Sequence, residues 1–88
     1  MFTHGFETVT MSRNDLYRKI WLKSAVQLAK DWGISDVAIA KLCKKHNVPK
    51  PPLGYWARIQ HGRKIRRPAL PKAVDERQEV VRFQRYKT

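Results

Sequence analysis

The chain has 88 residues, a length that supports one small domain and excludes a large catalytic module. Its 19 Lys and Arg residues against 7 Asp and Glu residues give a formal net charge of +12 at pH 7. This charge predicts a polyanionic partner, most often a nucleic acid. The sequence also argues against a membrane protein, because no apolar run approaches the roughly 18 residues of a bilayer span.

The positive charge is concentrated in the middle of the chain. Residues 36–71 contain nine basic residues and one acidic residue. We expect this segment to meet the polyanion. A merely solubilising surface is the open alternative, although such surfaces usually intersperse both signs.

The first elements lie on either side of Ser12. Residues 1–11 show no apolar period and are expected to form a flexible N-terminal extension, with a short edge strand or an apolar flap as the alternative. Ser12 begins the sequence S-R-N-D, a variant of the capping box that is typical of a helix start. The apolar residues that follow share one helical face and predict a supporting helix: Leu16, Tyr17, Ile20 and Trp21.

Two short helices joined by a tight turn are predicted between residues 24 and 47. Apolar residues recur at helical spacing on both sides of Gly33, a residue that readily ends a helix in the left-handed conformation. Ser35 is a good N-cap for the second helix, and Asp36 suits the positive end of its dipole. The pattern predicts helix, turn, helix, with the second helix over residues 35–46.

The spacing within this pair resembles the DNA-binding helix-turn-helix of the lambda-repressor and Cro type. Ala29 stands four residues before Gly33, as in the pattern A-x-x-x-G-[IV]-x(4)-[IV]. Ile34 follows the glycine, and Ile39 lies five residues further on. The match covers Val26 to Lys45, about a quarter of the chain. The resemblance implies a helical domain that places its second helix in the major groove of DNA.

A second resemblance concerns the run S-D-V-A-I-A-K-L-C-K-K and the P-P-L-G-Y-W that follows it. These segments are similar to a recurrent segment of small bacterial proteins of unassigned function. The similarity implies a bacterial or phage source and names no activity.

Proline and glycine divide the rest of the chain. Pro49 disfavours helical geometry at the residue before it, so the second helix is expected to end by Asn47. A short fourth helix is predicted over residues 53–61, with a glycine beyond its end. Residues 63–71 are basic and aperiodic and predict a mobile basic arm. Residues 72–88 predict a C-terminal helix or tail, which is the candidate contact of a homodimer.

In a helix-turn-helix, the start of the second helix contacts bases, and residues near its end contact phosphates. Lys41 can donate to guanine, whereas Val37 and Ala40 can contact a thymine methyl group. Asp36 either accepts from cytosine or serves only the helix cap. The arm either enters an A·T-rich minor groove or remains a solvated loop. The predicted DNA-binding residues are Ser35, Asp36, Val37, Ala40, Lys41, Lys44, Lys45, Arg63, Lys64, Arg66 and Arg67.

The sequence contains no pattern that indicates catalysis. The histidines and Cys43 lack the spacing of zinc ligands, and the seven carboxylates form no recognisable acid–base pair. We therefore expect no enzyme activity, metal, cofactor or small-molecule ligand. The single cysteine is expected to be a buried structural thiol in a reducing cytoplasm.

These features predict an all-α protein whose residues 12–62 form a domain that binds double-stranded DNA. We expect a small bacterial or phage transcriptional regulator, cytoplasmic and associated with the nucleoid. Two other functions stay open: an RNA- or ribosome-associated basic protein, and an interaction module of a mobile-element complex.

Overall fold

The computed structural model describes residues 5–86 and shows an α+β domain, so the all-α fold predicted from the sequence is wrong. Residues 1–4 of the predicted extension and residues 87–88 of the predicted C-terminal segment lie outside the described part. The elements are β1 (Phe6–Ser12), α1 (Arg13–Leu22), α2 (Ala25–Trp32), α3 (Asp36–Lys45), α4 (Tyr55–Gln60), a 3-10 helix (Glu76–Glu79) and β2 (Val80–Tyr86).

The two strands form one antiparallel ribbon. Phe6 pairs with Tyr86 at one end, and Ser12 pairs with Val80 at the other. Exposure alternates along β1 between exposed and half-buried residues, which is the period of a strand with one face turned towards the core. The segment expected to be flexible is therefore, over residues 6–11, a strand, as in the alternative drawn from the sequence.

Residues 72–88, predicted as a C-terminal helix or tail, instead contain a 3-10 helix at Glu76–Glu79 and the strand β2 at Val80–Tyr86. Asp75 accepts a hydrogen bond from the Arg77 N–H at 2.9 Å and caps the 3-10 helix, after which the chain continues as β2. In β2 the residues that pack on the core are Val81 and Phe83. Their spacing of two residues belongs to a strand and not to a helix.

The ribbon depends on the helices beneath it, because two strands by themselves are at best marginally stable in water. Val81 is fully buried in the core. The ring centroids of Phe83 and Trp32 lie 5.3 Å apart, which joins β2 to α2. Met11 adds a partly buried contact from β1. The ribbon thus brings both ends of the described chain onto one core.

The core is centred on α1. Ser12 ends β1 and caps α1, since its Oγ accepts from the Asp15 N–H at 3.0 Å. The apolar face predicted for α1 is buried. It packs against buried residues from the other helices, the loop after α3 and β2: Leu28, Ile39, Cys43, Val48, Tyr55 and Val81.

A buried arginine joins α1 to the end of α3. Arg13 donates from Nε to the His46 carbonyl at 2.6 Å and from Nη2 to the Asn47 carbonyl at 2.7 Å. These carbonyls lie at the end of α3, where helical donors are missing. The buried His46 ring donates from Nδ1 to the Gln78 carbonyl at 2.8 Å. These contacts fix the position of α3 against α1 and the C-terminal segment.

Candidate nucleic-acid interface

The helix pair forms where the sequence predicts it. α2 ends at Gly33, whose φ of +69° is left-handed and whose N–H donates to the Ala29 carbonyl at 2.9 Å. Ser35 caps α3, since its Oγ accepts from the Ala38 N–H at 3.0 Å. Residues 33–35 therefore make a tight turn from α2 into α3.

Helix α3 has a buried face and an exposed face. Ile39 and Cys43 lie in the core and are 3% and 2% exposed. Val37 is 59% exposed, and Lys41 and Lys44 are also exposed. Their spacing of four and three residues places all three on one side of the helix. This side presents an apolar side chain and two ammonium groups to solvent.

The other residues predicted to bind DNA from α3 lie around this exposed side. Ala40 is half-buried at its border, whereas Lys45 is exposed in the last turn. Asp36 is exposed in the first turn, where its negative charge interacts favourably with the positive end of the helix dipole. The side-chain hydrogen bond of the cap comes from Ser35, so the cap does not depend on Asp36.

The loop between α3 and α4 is held at both ends. Trp21 donates from Nε1 to the Pro49 carbonyl at 2.8 Å, and the Tyr55 N–H donates to the Pro52 carbonyl at 3.0 Å. Tyr55 is buried, with its ring centroid 5.0 Å from that of Trp21 in an edge-to-face arrangement. Residues 49–54 therefore have a defined path beside the exposed side of α3.

An apolar groove that the sequence analysis did not predict runs beside α3. It encloses about 600 Å³ between the start of α2, the start of α3 and the loop before α4. Val26, which is 60% exposed, and Leu53, which is 99% exposed, both line it. The sequence signal for this groove is weak, because periodicity does not separate Val26 and Val37 from the core stripes next to them.

The basic arm packs over α1, and the mobility that its composition predicts stays a prediction. The Tyr17 hydroxyl donates to the Pro68 carbonyl at 2.5 Å, and the Arg67 guanidinium carbon lies 5.0 Å from the centre of the Tyr17 ring. Ile65 and Leu70 are partly buried against the core. The arm is thus attached at Ile65, Arg67, Pro68 and Leu70.

The exposed cations of residues 36–71 have no carboxylate partner in the described part of the chain. The arm residues Arg63, Lys64 and Arg66 are exposed in the same way as Lys41. Carboxylates of residues 5–86 therefore do not neutralise the cations of α3 and the arm through ion pairs. The ion pairs all lie outside this segment and join Arg18 to Asp15, Lys23 to Asp31, Arg77 to Asp75 and Arg85 to Glu7.

Cys43 is the buried thiol that the sequence predicts. Burial raises the pKa of this thiol to about 11. The neutral thiol is a poor nucleophile and a poor metal ligand. Within residues 5–86, no group of three or more His, Cys, Asp and Glu side chains is placed to hold a metal ion.

Comparisons with protein-family models, with curated proteins and with solved structures find no match to this chain. None of the helices in residues 5–86 combines the length and the apolar composition needed to cross a bilayer. The candidate interface is the exposed side of α3, together with the loop before α4 and the basic arm.

Proposed function

We propose that this chain binds double-stranded DNA with sequence preference and acts as a small transcriptional regulator of a bacterium or phage, without catalysis. The observation that carries the proposal is the exposed side of α3, where Val37 lies beside Lys41 and Lys44. Neither lysine has a carboxylate partner in the described chain. The major groove admits an α-helix, and helix-turn-helix proteins place the start of their second helix there.

The residues of this side have different roles in the proposed complex. Lys41 donates to O6 or N7 of guanine, and Val37 and Ala40 contact a thymine methyl group. Lys44 and Lys45 contact phosphates, which position the protein without reading the sequence. Groove binding of this kind regulates transcription by occluding a promoter or by recruiting a partner to it.

The residues at the start of α3 act through the backbone and the cap. The Ser35 oxygen accepts from the Ala38 N–H, so its hydroxyl hydrogen remains available to donate to a phosphate or a base. Asp36 is repelled by phosphates and serves the helix dipole, with acceptance from cytosine N4 as the alternative. The arm adds phosphate contacts or enters the minor groove.

Two lysine variants test the proposal on a DNA fragment selected by the wild-type protein and on unrelated DNA. We expect Lys41→Ala to weaken binding to the selected fragment by about 1–3 kcal/mol and to affect unrelated DNA much less. Lys44→Ala should weaken both to the same extent, because a phosphate contact carries no sequence information. Lys19→Ala, exposed on α1, is the matched control and should change neither.

Two results contradict the proposal. Equal losses on both DNAs for Lys41→Ala would reduce Lys41 to a phosphate contact. A selection that enriches no fragment would reject sequence preference altogether. Competition with structured RNA belongs to the same experiment, since tighter binding to RNA than to the duplex would favour an RNA- or ribosome-associated protein.

A second function, docking of a partner protein, is favoured by the apolar groove beside α3. The exposed Val26, Val37 and Leu53 lie around it, and grooves of this kind accept the apolar face of a helix. This function corresponds to the interaction module of a mobile-element complex. It predicts DNA binding that is weak, abolished by salt and indifferent to sequence, which separates it from the first proposal.

A further inference from the structure

We propose that Leu53 is an apolar wedge that enters the minor groove of the bound DNA, inserts between two base pairs and kinks the duplex. This inference rests on the proposed DNA binding and adds a deformation of the DNA to it. Leu53 is 99% exposed, so its side chain adds almost nothing to the buried core. Single exposed leucines are common on protein surfaces, so the proposal depends on how this one is held and what surrounds it.

Leu53 stands at the tip of a loop whose conformation is set before DNA arrives. Pro51 and Pro52 fix two backbone φ angles immediately before it. Gly54 follows with a φ of +83°, a conformation that turns the chain into α4. The loop ends are held by the hydrogen bonds that join Trp21 to Pro49 and Tyr55 to Pro52. A preorganised tip loses little conformational entropy on insertion.

Exposed cations lie on both sides of this tip in the chain. Lys50 is exposed on the same loop, and Arg58 is exposed on α4, one turn beyond the start of that helix. The Arg63 N–H donates to the Arg58 carbonyl at 3.0 Å, so the basic arm begins where α4 ends. The tip and the arm therefore emerge from opposite ends of a helix of six residues. Such a short helix allows both to reach one minor groove.

Charge decides between the possible occupants. A second copy that placed its own Leu53 in the groove beside α3 would bring Lys41 and Lys50 of two strongly basic chains together, and like charges repel. A duplex instead supplies phosphates for the cations and an apolar base stack for the leucine. Proteins that bend DNA through the minor groove insert Leu or Pro between base steps and use Arg and Lys beside them.

The experiment measures the bend of a duplex that carries the fragment selected by the wild-type protein and a fluorophore at each end. We expect the wild type to bend it by about 20–90° and to brighten a fluorescent adenine analogue at one base step, where stacking is lost. Leu53→Ala should lose both signals, whereas Leu53→Phe should keep them. The affinity of Leu53→Ala should fall by less than about tenfold, because the phosphate contacts remain.

Two controls separate the wedge from a folding defect. Leu53→Ala should melt at the wild-type temperature, because the side chain is exposed. Val74→Ala removes another apolar side chain, 84% exposed and outside the loop, and should bend DNA as the wild type does.

Each opposing result points to a different failure. A straight duplex with the wild type, or an unchanged bend with Leu53→Ala, overturns the wedge and leaves DNA binding in place. A wild-type protein that binds no duplex rejects the proposed function, and the wedge with it. Sedimentation that shows self-association lost in Leu53→Ala, with the bend intact, assigns the tip to a second copy.

Discussion

Arg13, a residue that is 2% exposed, supplies from its guanidinium the donors that the end of α3 lacks. A charged residue at the start of a helix is ordinarily solvated, and the sequence pattern does not mark this one as buried. Its two acceptors, the carbonyls of His46 and Asn47, are more than thirty residues away in the chain. The contact therefore belongs to the tertiary structure, although a single side chain makes it.

Replacing this side chain should be costly. Arg13→Met leaves both carbonyls without a donor, and an unsatisfied buried group costs about 1–3 kcal/mol. Arg13→Lys keeps the charge but loses the fork of donors, so its free energy of unfolding should lie between those of the wild type and Arg13→Met. Urea unfolding measures the free energies, with the exposed Arg18→Met as the control. Equal stability of Arg13→Met and the control would show that water satisfies the carbonyls.

Cys43 should make the free energy of unfolding fall as the pH rises through the alkaline range. Because burial raises the pKa of this thiol from the ordinary value of 9.0 to about 11, the unfolded chain releases the proton first. The contribution to stability is present in full below the unfolded pKa and is lost as the pH rises towards the folded one. Urea unfolding of the wild type and of Cys43→Ala should be compared between the unfolded and the folded pKa of the thiol. The difference between their free energies of unfolding should narrow as the pH rises. A constant difference would contradict the shift.

At the scale of elements, the helix pair and the ribbon differ in how they are encoded. The end of α2 and the start of α3 depend on Gly33 and Ser35, whose contacts reach only four residues. β1 is hydrogen-bonded as a strand only to β2, because neither strand is paired elsewhere in the described chain. The helices are thus local features, and the ribbon joins the ends of the chain.

Removal of β2 should therefore unfold the domain. A chain that ends at Glu79 lacks the fully buried Val81 and the ring of Phe83 against Trp32. Deletion of large core side chains costs about 2–5 kcal/mol each, which is a large share of the stability of a domain of this size. Thermal melting followed by circular dichroism should show no cooperative transition.

Gln84→Ala is the control for this truncation, because Gln84 is exposed on β2 and its loss should leave the melting temperature nearly unchanged. A truncated chain that melts as the full chain does would show that the helices form a stable core without the ribbon.

At the scale of the molecule, the charge distribution decides how the chain would hold DNA. The cations of α3 and of the arm are left free by ion pairs that lie elsewhere in the described chain. Removal of the arm's charges takes away the contact of Arg67 with the Tyr17 ring but leaves the hydrogen bond from Tyr17 to Pro68 and the packing of Ile65 and Leu70. These remaining contacts allow the electrostatic role of the arm to be measured.

Alanine at the four cations of the arm should flatten the dependence of log K on log salt by about two to four units, since each phosphate contact contributes about 0.9. Titrations at several salt concentrations measure the slope. Repetition on A·T-rich and G·C-rich flanks shows whether the arm also enters the minor groove. The four replaced residues are Arg63, Lys64, Arg66 and Arg67.

Arg18→Ala is the control for the salt titration, because its charge is already paired with Asp15 at 2.6 Å. It should change the slope by less than the arm variant does. An unchanged slope in the arm variant would mean that the arm points away from DNA and that the basic surface has another partner.

Local features of this protein could be predicted from the sequence, and features that join distant residues could not. The caps at Ser12 and Ser35, the left-handed Gly33 and the buried Cys43 all follow from patterns within one or two turns of chain. The DNA-binding role of α3 stays a prediction. The path of the arm was missed, because the residue that holds Pro68 is Tyr17, fifty-one positions earlier.

By itself the sequence determined where α1 and α3 begin and where α2 ends, because capping and the apolar period act between residues three or four apart. Only the tertiary structure decided the fold class. Phe6 pairs with Tyr86 across nearly the whole chain, and a strand that is stable only with its partner carries little local signal. The same holds for the groove beside α3, whose walls come from α1, α2, α3 and the loop before α4, four segments that meet only once the core has formed.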